Sequence, residues 1–132
     1  MTGDVAVLDT SAVLAWLRDE PGSEVVDPVL AGGQISAVNW SELAAELAYH
    51  DAPVRRTLDR LVALGVRVVP FDAATAVAAG QLWKTGKSAG LSLGDRACLA
   101  KASVVDGTAT VFTADAAWAD LDGIDTPMKL IR

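Results

Sequence analysis

Short, nearly uninterrupted apolar runs alternate along this chain with longer stretches of helical periodicity. Residues 5–8, 66–71, 109–113 and 128–131 are apolar runs too short for helices, of the kind expected in strands covered on both faces. Residues 34–38, after Gly32 and Gly33, read as a weak strand or loop. Helical patterns cover 12–18, 39–49 and 53–64, the last with Pro53 in its first turn and Gly65 as its stop. Further helices run from capping Asp72 to 85, from capping Ser92 to 102, and over 114–121, while 86–91 is a connection. No element is assigned between Arg18 and Gln34. This order predicts a single α/β domain over 1–132, three layers thick, with a mostly parallel central sheet. In such sheets, chemistry gathers beyond the carboxyl ends of the strands.

Composition removes several alternatives. Hydrophobic residues make up 52 % of the chain and mean hydropathy is +0.33, too apolar for an acidic disordered segment. No stretch approaches the ~20 apolar residues of a membrane span. Asp4, with no basic region near it, does not fit a signal peptide. The single cysteine, Cys98, excludes an internal disulfide framework and fits a reducing cytoplasm. With one His and one Cys, an all-protein zinc site is not expected. A net charge of −6 argues, at first sight, against nucleic acid as a partner.

Four acids occupy equivalent places. Asp9 ends the first predicted strand, and Asp115 follows the 109–113 strand by two residues. Glu42 lies three residues after Asn39, and Asp95 three after Ser92, each at a helix start. Each has an ordinary explanation alone: a capping or turn aspartate, a capping-box spacing, or a charge favoured by the helix dipole. Together they form a pattern. A parallel sheet brings strand ends and the following helix starts to one edge, so Asp9 and Asp115 meet there if their strands are neighbours. Glu42 and Asp95 begin helices able to deliver carboxylates to the same pocket. Carboxylates gathered in this way repel unless protons or cations intervene. Oxygen-only ligands suit Mg²⁺ or Mn²⁺, ions that polarise a phosphoryl oxygen and generate hydroxide near neutral pH.

The segments Val7-Leu8-Asp9-Thr10-Ser11-Ala12, Ser36-Ala37-Val38-Asn39-Trp40-Ser41-Glu42, Leu93-Gly94-Asp95-Arg96-Ala97-Cys98-Leu99-Ala100 and Phe112-Thr113-Ala114-Asp115-Ala116-Ala117-Trp118 resemble the four acidic motifs of PIN-domain ribonucleases. The resemblance runs from the first strand to the last. A bare PIN domain of this length is most similar to the VapC toxins of toxin–antitoxin pairs. That resemblance implies a three-layer α/β/α PIN-like fold and a Mg²⁺-dependent endoribonuclease, with Mn²⁺ as a substitute ion. It implies that Asp9, Glu42, Asp95 and Asp115 are the catalytic, metal-holding quartet. Thr10, Ser11 and Thr113 would orient water or contact phosphate. It further implies an RNA substrate, a homodimer, and a cognate antitoxin that inserts a peptide near the acids. Glu46, one helical turn beyond Glu42, competes with it for the second position.

Other features carry less. The segment from Gly80 to Ser88 has five residues between Gly80 and Gly86 where a phosphate-binding loop needs four, and it closes a helix instead of opening one. ATP binding is therefore rejected. Asp9-Thr10-Ser11 lacks the second aspartate of an aspartyl-phosphate phosphatase. Lys84, Lys87 and Arg96 fall near the acidic edge, either as contacts to RNA phosphate or as solvated helix ends. Arg55, Arg56 and Arg60 form a solvated stripe, and the four tryptophans fit cores or interfaces better than base stacking. With the quartet set aside (17 − 4 = 13 acids against 11 bases), the remaining charge is only −2. Acidity concentrated in one pocket is compatible with RNA, provided that cations bridge it to phosphate. Two readings of other classes stand beside the nuclease: a non-cleaving RNA- or protein-binding module, and a small-molecule phosphohydrolase.

Overall fold

Alternation within the first strand sets the layering. In β1 (Val5–Leu8), Val7 and Leu8 are both fully buried but face opposite ways, into two separate cores. Leu8 joins residues of α1 (Thr10–Leu17), α2 (Ser23–Leu30), α3 (Ala37–Tyr49) and α4 (Val54–Ala63), with Ile35 of β2 (Gln34–Ser36) beside it. Val7 joins Cys98 and Leu99 of α6 (Leu93–Val104), Val111 of β4 (Ala109–Thr113) and Trp118, with Leu82 of α5 (Ala73–Gly86) packed against them. Sheet and helices thus make an α/β/α sandwich. The computed structural model describes residues 5–86, 90–104, 108–121 and 123–132.

The sheet is completed by β3 (Arg67–Val69) and β5 (Met128–Leu130), in the order β3-β2-β1-β4-β5, and every pairing is parallel. Leu8 of β1 is in register with Phe112 of β4, so the two strands end side by side. The chain winds outward in one direction from β1 through β2 to β3, then returns to the other side of β1 as β4. The β1/β4 pair is therefore the point where the strand order reverses, the place at which open parallel sheets form a crevice.

Local chemistry accounts for most boundaries. Gly65, at φ +110°, stops α4 in the left-handed conformation that glycine adopts without strain. Asp72 caps α5 by accepting from Thr75 N–H at 2.9 Å. Three expectations are corrected. Asn39 does not open α3: Ser36 does, accepting from Val38 N–H at 3.2 Å, so the helix begins at Ala37. Residues 114–121 form only a short 3₁₀ turn (Ala116–Asp120), capped by Asp115, as the chain turns back toward β5 through Gly123 at φ +78°. The helix α2 has no counterpart in the prediction, because Pro28 lies inside it and Pro21-Gly22 precedes it. Its apolar stripe, Val25, Val26, Val29 and Leu30, nonetheless has helical spacing and packs into the first core.

Candidate active site

Asp9 leaves the end of β1 only 5 % exposed. Two hydroxyls reach it. Thr113, at the end of β4, donates from Oγ1 to Asp9 Oδ2 at 2.9 Å, and Ser11 donates from Oγ to the same oxygen at 2.5 Å. With both protons directed at Asp9, the 3.3 Å approach of Ser11 to Thr113 has no proton left to share. The same hydroxyl oxygens accept backbone N–H groups beyond β4: Ala114 N–H donates to Ser11 at 2.9 Å and Asp115 N–H to Thr113 at 3.1 Å. These four bonds tie the loop carrying Asp115 to the carboxylate that ends β1.

Glu42 arrives from the second turn of α3. Its Oε1 accepts from Thr10 Oγ1 at 2.9 Å and from Asn39 Nδ2 at 3.0 Å. Thr10 has a second acceptor within reach, Asn39 O at 3.3 Å, but its single proton favours the shorter bond to the charged carboxylate. Asp95 sits in the first turn of α6 in a reciprocal cap: Asp95 N–H donates to Ser92 Oγ at 3.1 Å and Ser92 N–H to Asp95 Oδ2 at 2.9 Å. Asp115 accepts Ala117 N–H on Oδ1 at 3.0 Å. The capping-box role expected of Asp95 is thus real, and Asp115, expected inside the first turn of a helix, instead caps the short 3₁₀ turn, whereas Asn39 and Glu42 bond to each other instead of capping.

Electrostatics couples the four. Burial pushes the Asp9 carboxyl up from 3.8 to about 6, its two hydroxyl bonds pull it back, and the charges of Asp95 and Glu42 raise it further. Asp95 is also raised, first by desolvation, against the opposing Ser92 bonds, and then by Asp115 and Glu42. Each acid has one oxygen committed to a local donor. Among the described residues, Asp9 Oδ1, Glu42 Oε2, Asp95 Oδ1 and Asp115 Oδ2 accept no hydrogen bond. The set is all oxygen, mutually repelling and partly uncommitted, which fits a hard divalent cation in its chemistry. As the side chains stand, no three Asp, Glu, His or Cys among the described residues form a group that could hold an ion.

The remaining predicted positions are distributed unevenly. Glu46 points elsewhere, to Arg18 at 3.1 Å and to His50 at 3.2 Å, and the Arg18 bond foremost lowers its carboxyl. Arg96 donates from Nη1 to Ala79 O at 3.2 Å, so it ties α6 to α5. Lys84 is exposed in the last turn of α5, and Lys87 lies outside the described residues. Two participants escaped the sequence reading. Asn39, fully buried, bridges Glu42 and Gly94 O, but its position suggested a cap. Gly94 leaves room for Glu42, whose carboxylate would collide with any Cβ at that position. A cleft of ≈ 630 Å³ opens beside Glu42, walled by Val38, Ala45, Phe71 and Leu93 with Ser41 and Ser92 at its polar side.

Fold and site together define an α/β domain with an acidic cluster at the reversal point of a parallel sheet. A family model of the PIN domain matches residues 6–124, and the chain belongs to that family. Comparison with curated proteins gives no match. Among solved structures, a toxin–antitoxin complex from Klebsiella pneumoniae is similar with a TM-score of 0.70 at 18 % identity, over 94 % of this chain and 98 % of that one. The DNA-bound VapBC of Salmonella typhimurium gives 0.71 at 16 % identity, over 96 % and 98 %. FitAcB of Neisseria gonorrhoeae gives 0.66 at 23 % identity, over 94 % and 96 %. At such identities these likenesses establish the fold.

Proposed function

We propose that this PIN domain is a Mg²⁺-dependent endoribonuclease, the toxin of a VapC-type toxin–antitoxin pair, with Asp9, Glu42, Asp95 and Asp115 as its metal-holding quartet. One observation carries the reading: four coupled carboxylates at the β1/β4 reversal point, each with one oxygen fixed and another uncommitted. Fold likeness to toxin–antitoxin complexes adds the biological setting. Mn²⁺ is a chemically equivalent substitute.

When bound, Mg²⁺ supplies Lewis acidity at the phosphoryl oxygen and a nucleophilic hydroxide from water. The chain's own residues prepare for it. Ser11 and Thr113 hold Asp9 by one oxygen, and with a carboxyl near 6 it is mostly ionised at neutral pH. Thr10 and Asn39 hold Glu42, Ser92 holds Asp95, and the backbone of Ala117 holds Asp115. No side chain is needed as a covalent nucleophile. Lys84, Lys87 and Arg96 are the cations from which phosphate contacts would be drawn, and the cleft beside Glu42 gives room for the chain on one side of the scissile bond. An antitoxin would block this edge, and the domain would work as a homodimer in the cytoplasm. Among the described residues no helix is long and apolar enough to cross a membrane.

Calorimetric titration with Mg²⁺, followed by incubation with a panel of RNAs, tests the reading. Mg²⁺-dependent heat and endonucleolytic products are expected. RNA that is bound but left intact, with no Mg²⁺-dependent heat, would instead favour a non-cleaving binding module.

A further inference from the structure

We propose that Asn39 is a positioning residue that sets the Glu42 carboxylate and the first turn of α6 as one unit, and so fixes how Glu42 and Asp95 present themselves to a divalent ion. The proposal rests on the nuclease reading above.

Asn39 is 0 % exposed, and its amide can point only one way. Nδ2 donates to Glu42 Oε1 and to Gly94 O, both at 3.0 Å. The flipped amide would set an oxygen against two acceptors. Both N–H bonds are thereby spent, and Oδ1 is left buried without a partner among the described residues. A buried orphan acceptor costs free energy that an apolar residue of the same shape would not. The start of α3 does not require the amide either, because Ser36 already caps that helix. What Asn39 uniquely does is join two acid-bearing helices. Gly94 completes the arrangement: α6 approaches Glu42 with bare backbone, where any side chain would meet the carboxylate. Glu42 is therefore boxed by α1 through Thr10, by its own helix through Asn39 and by α6 through Gly94. Partners of this kind orient metal-binding carboxylates, and losing one lowers metal affinity by about 10–100-fold.

The test is Mn²⁺ titration by calorimetry on the full chain, comparing wild type with Asn39→Ala and with the near-isosteric Asn39→Leu, which keeps the packing. Leu61→Ala, a core truncation in α4, serves as a control that lowers stability away from the site. Both Asn39 variants are expected to bind Mn²⁺ on the order of 10–100-fold more weakly and to regain RNA cleavage as Mg²⁺ is raised. Leu61→Ala is expected to melt earlier with wild-type Mn²⁺ affinity. Wild-type affinity in either folded Asn39 variant overturns the assignment. Absence of Mn²⁺ uptake by the wild type overturns the nuclease reading beneath it, and the assignment with it.

Discussion

At the scale of single residues, Asp9 sets the electrostatic character of the edge. Its carboxyl is raised from 3.8 to about 6 mainly by burial, so between those values the folded chain binds a proton that the unfolded chain has released. Stability from this group is therefore greatest below the unfolded value, falls as pH rises through about 6, and is level above it. The full shift corresponds to about 3 kcal/mol. Asp9→Asn, which still accepts from Ser11 and Thr113, should melt above wild type at pH 8 and lose that advantage as pH approaches 4. Thermal melts across this range check the sign. Glu46 makes the opposite case. Its bonds to Arg18 and His50 carry it away from the quartet, and Glu46→Gln should cleave RNA at the wild-type rate in a parallel kinetic assay. Sequence spacing could not separate Glu46 from Glu42, because one helical turn leaves both on one face. Only the partners at the helix ends, Thr10 and Asn39 against Arg18, distinguish them.

At the scale of elements, the strands were the most legible part. Val5–Leu8 and Ala109–Thr113 have the boundaries expected from their apolar runs, since a strand covered on both faces leaves little room for polar residues. Helices are legible where an end signal marks them: Gly65 after α4 and the Ser92 cap before α6. The helix α2 was hidden because Pro28 counts against a helix locally, while burial of Val26 and Leu30 decides in its favour only once the sheet is present. The same limit applies to the site. Asp9 and Asp115 were placed by their strands, whereas the bridge from Asn39 to Gly94 spans 55 residues and leaves no local trace. Gly94→Ala tests this element-level packing: an added Cβ must displace Glu42. Cleavage should fall by about 10–100-fold with the far-ultraviolet dichroism of α6 and its neighbours unchanged.

At the scale of the whole molecule, the exposed side of α5 and the charge distribution set the expected assembly and substrate behaviour. Val77 and Trp83 are 62 % and 55 % exposed on an otherwise Ala-rich helix, an apolar face suited to a second copy of the chain. Light scattering should report a dimer at micromolar concentration, and Val77→Glu should shift it to monomer without loss of helical signal. Because the rest of the surface is nearly neutral, RNA binding should depend on the divalent ion more than on a broad basic field. Metal-dependent cleavage at Asp9 is tested most directly by exposing a defined RNA panel to wild type and to Asp9→Ala, each with Mg²⁺ and then with EDTA. Cuts are expected only from wild type in Mg²⁺. Equal cutting by Asp9→Ala, or cutting by the wild type undiminished in EDTA, would contradict metal-dependent cleavage at Asp9.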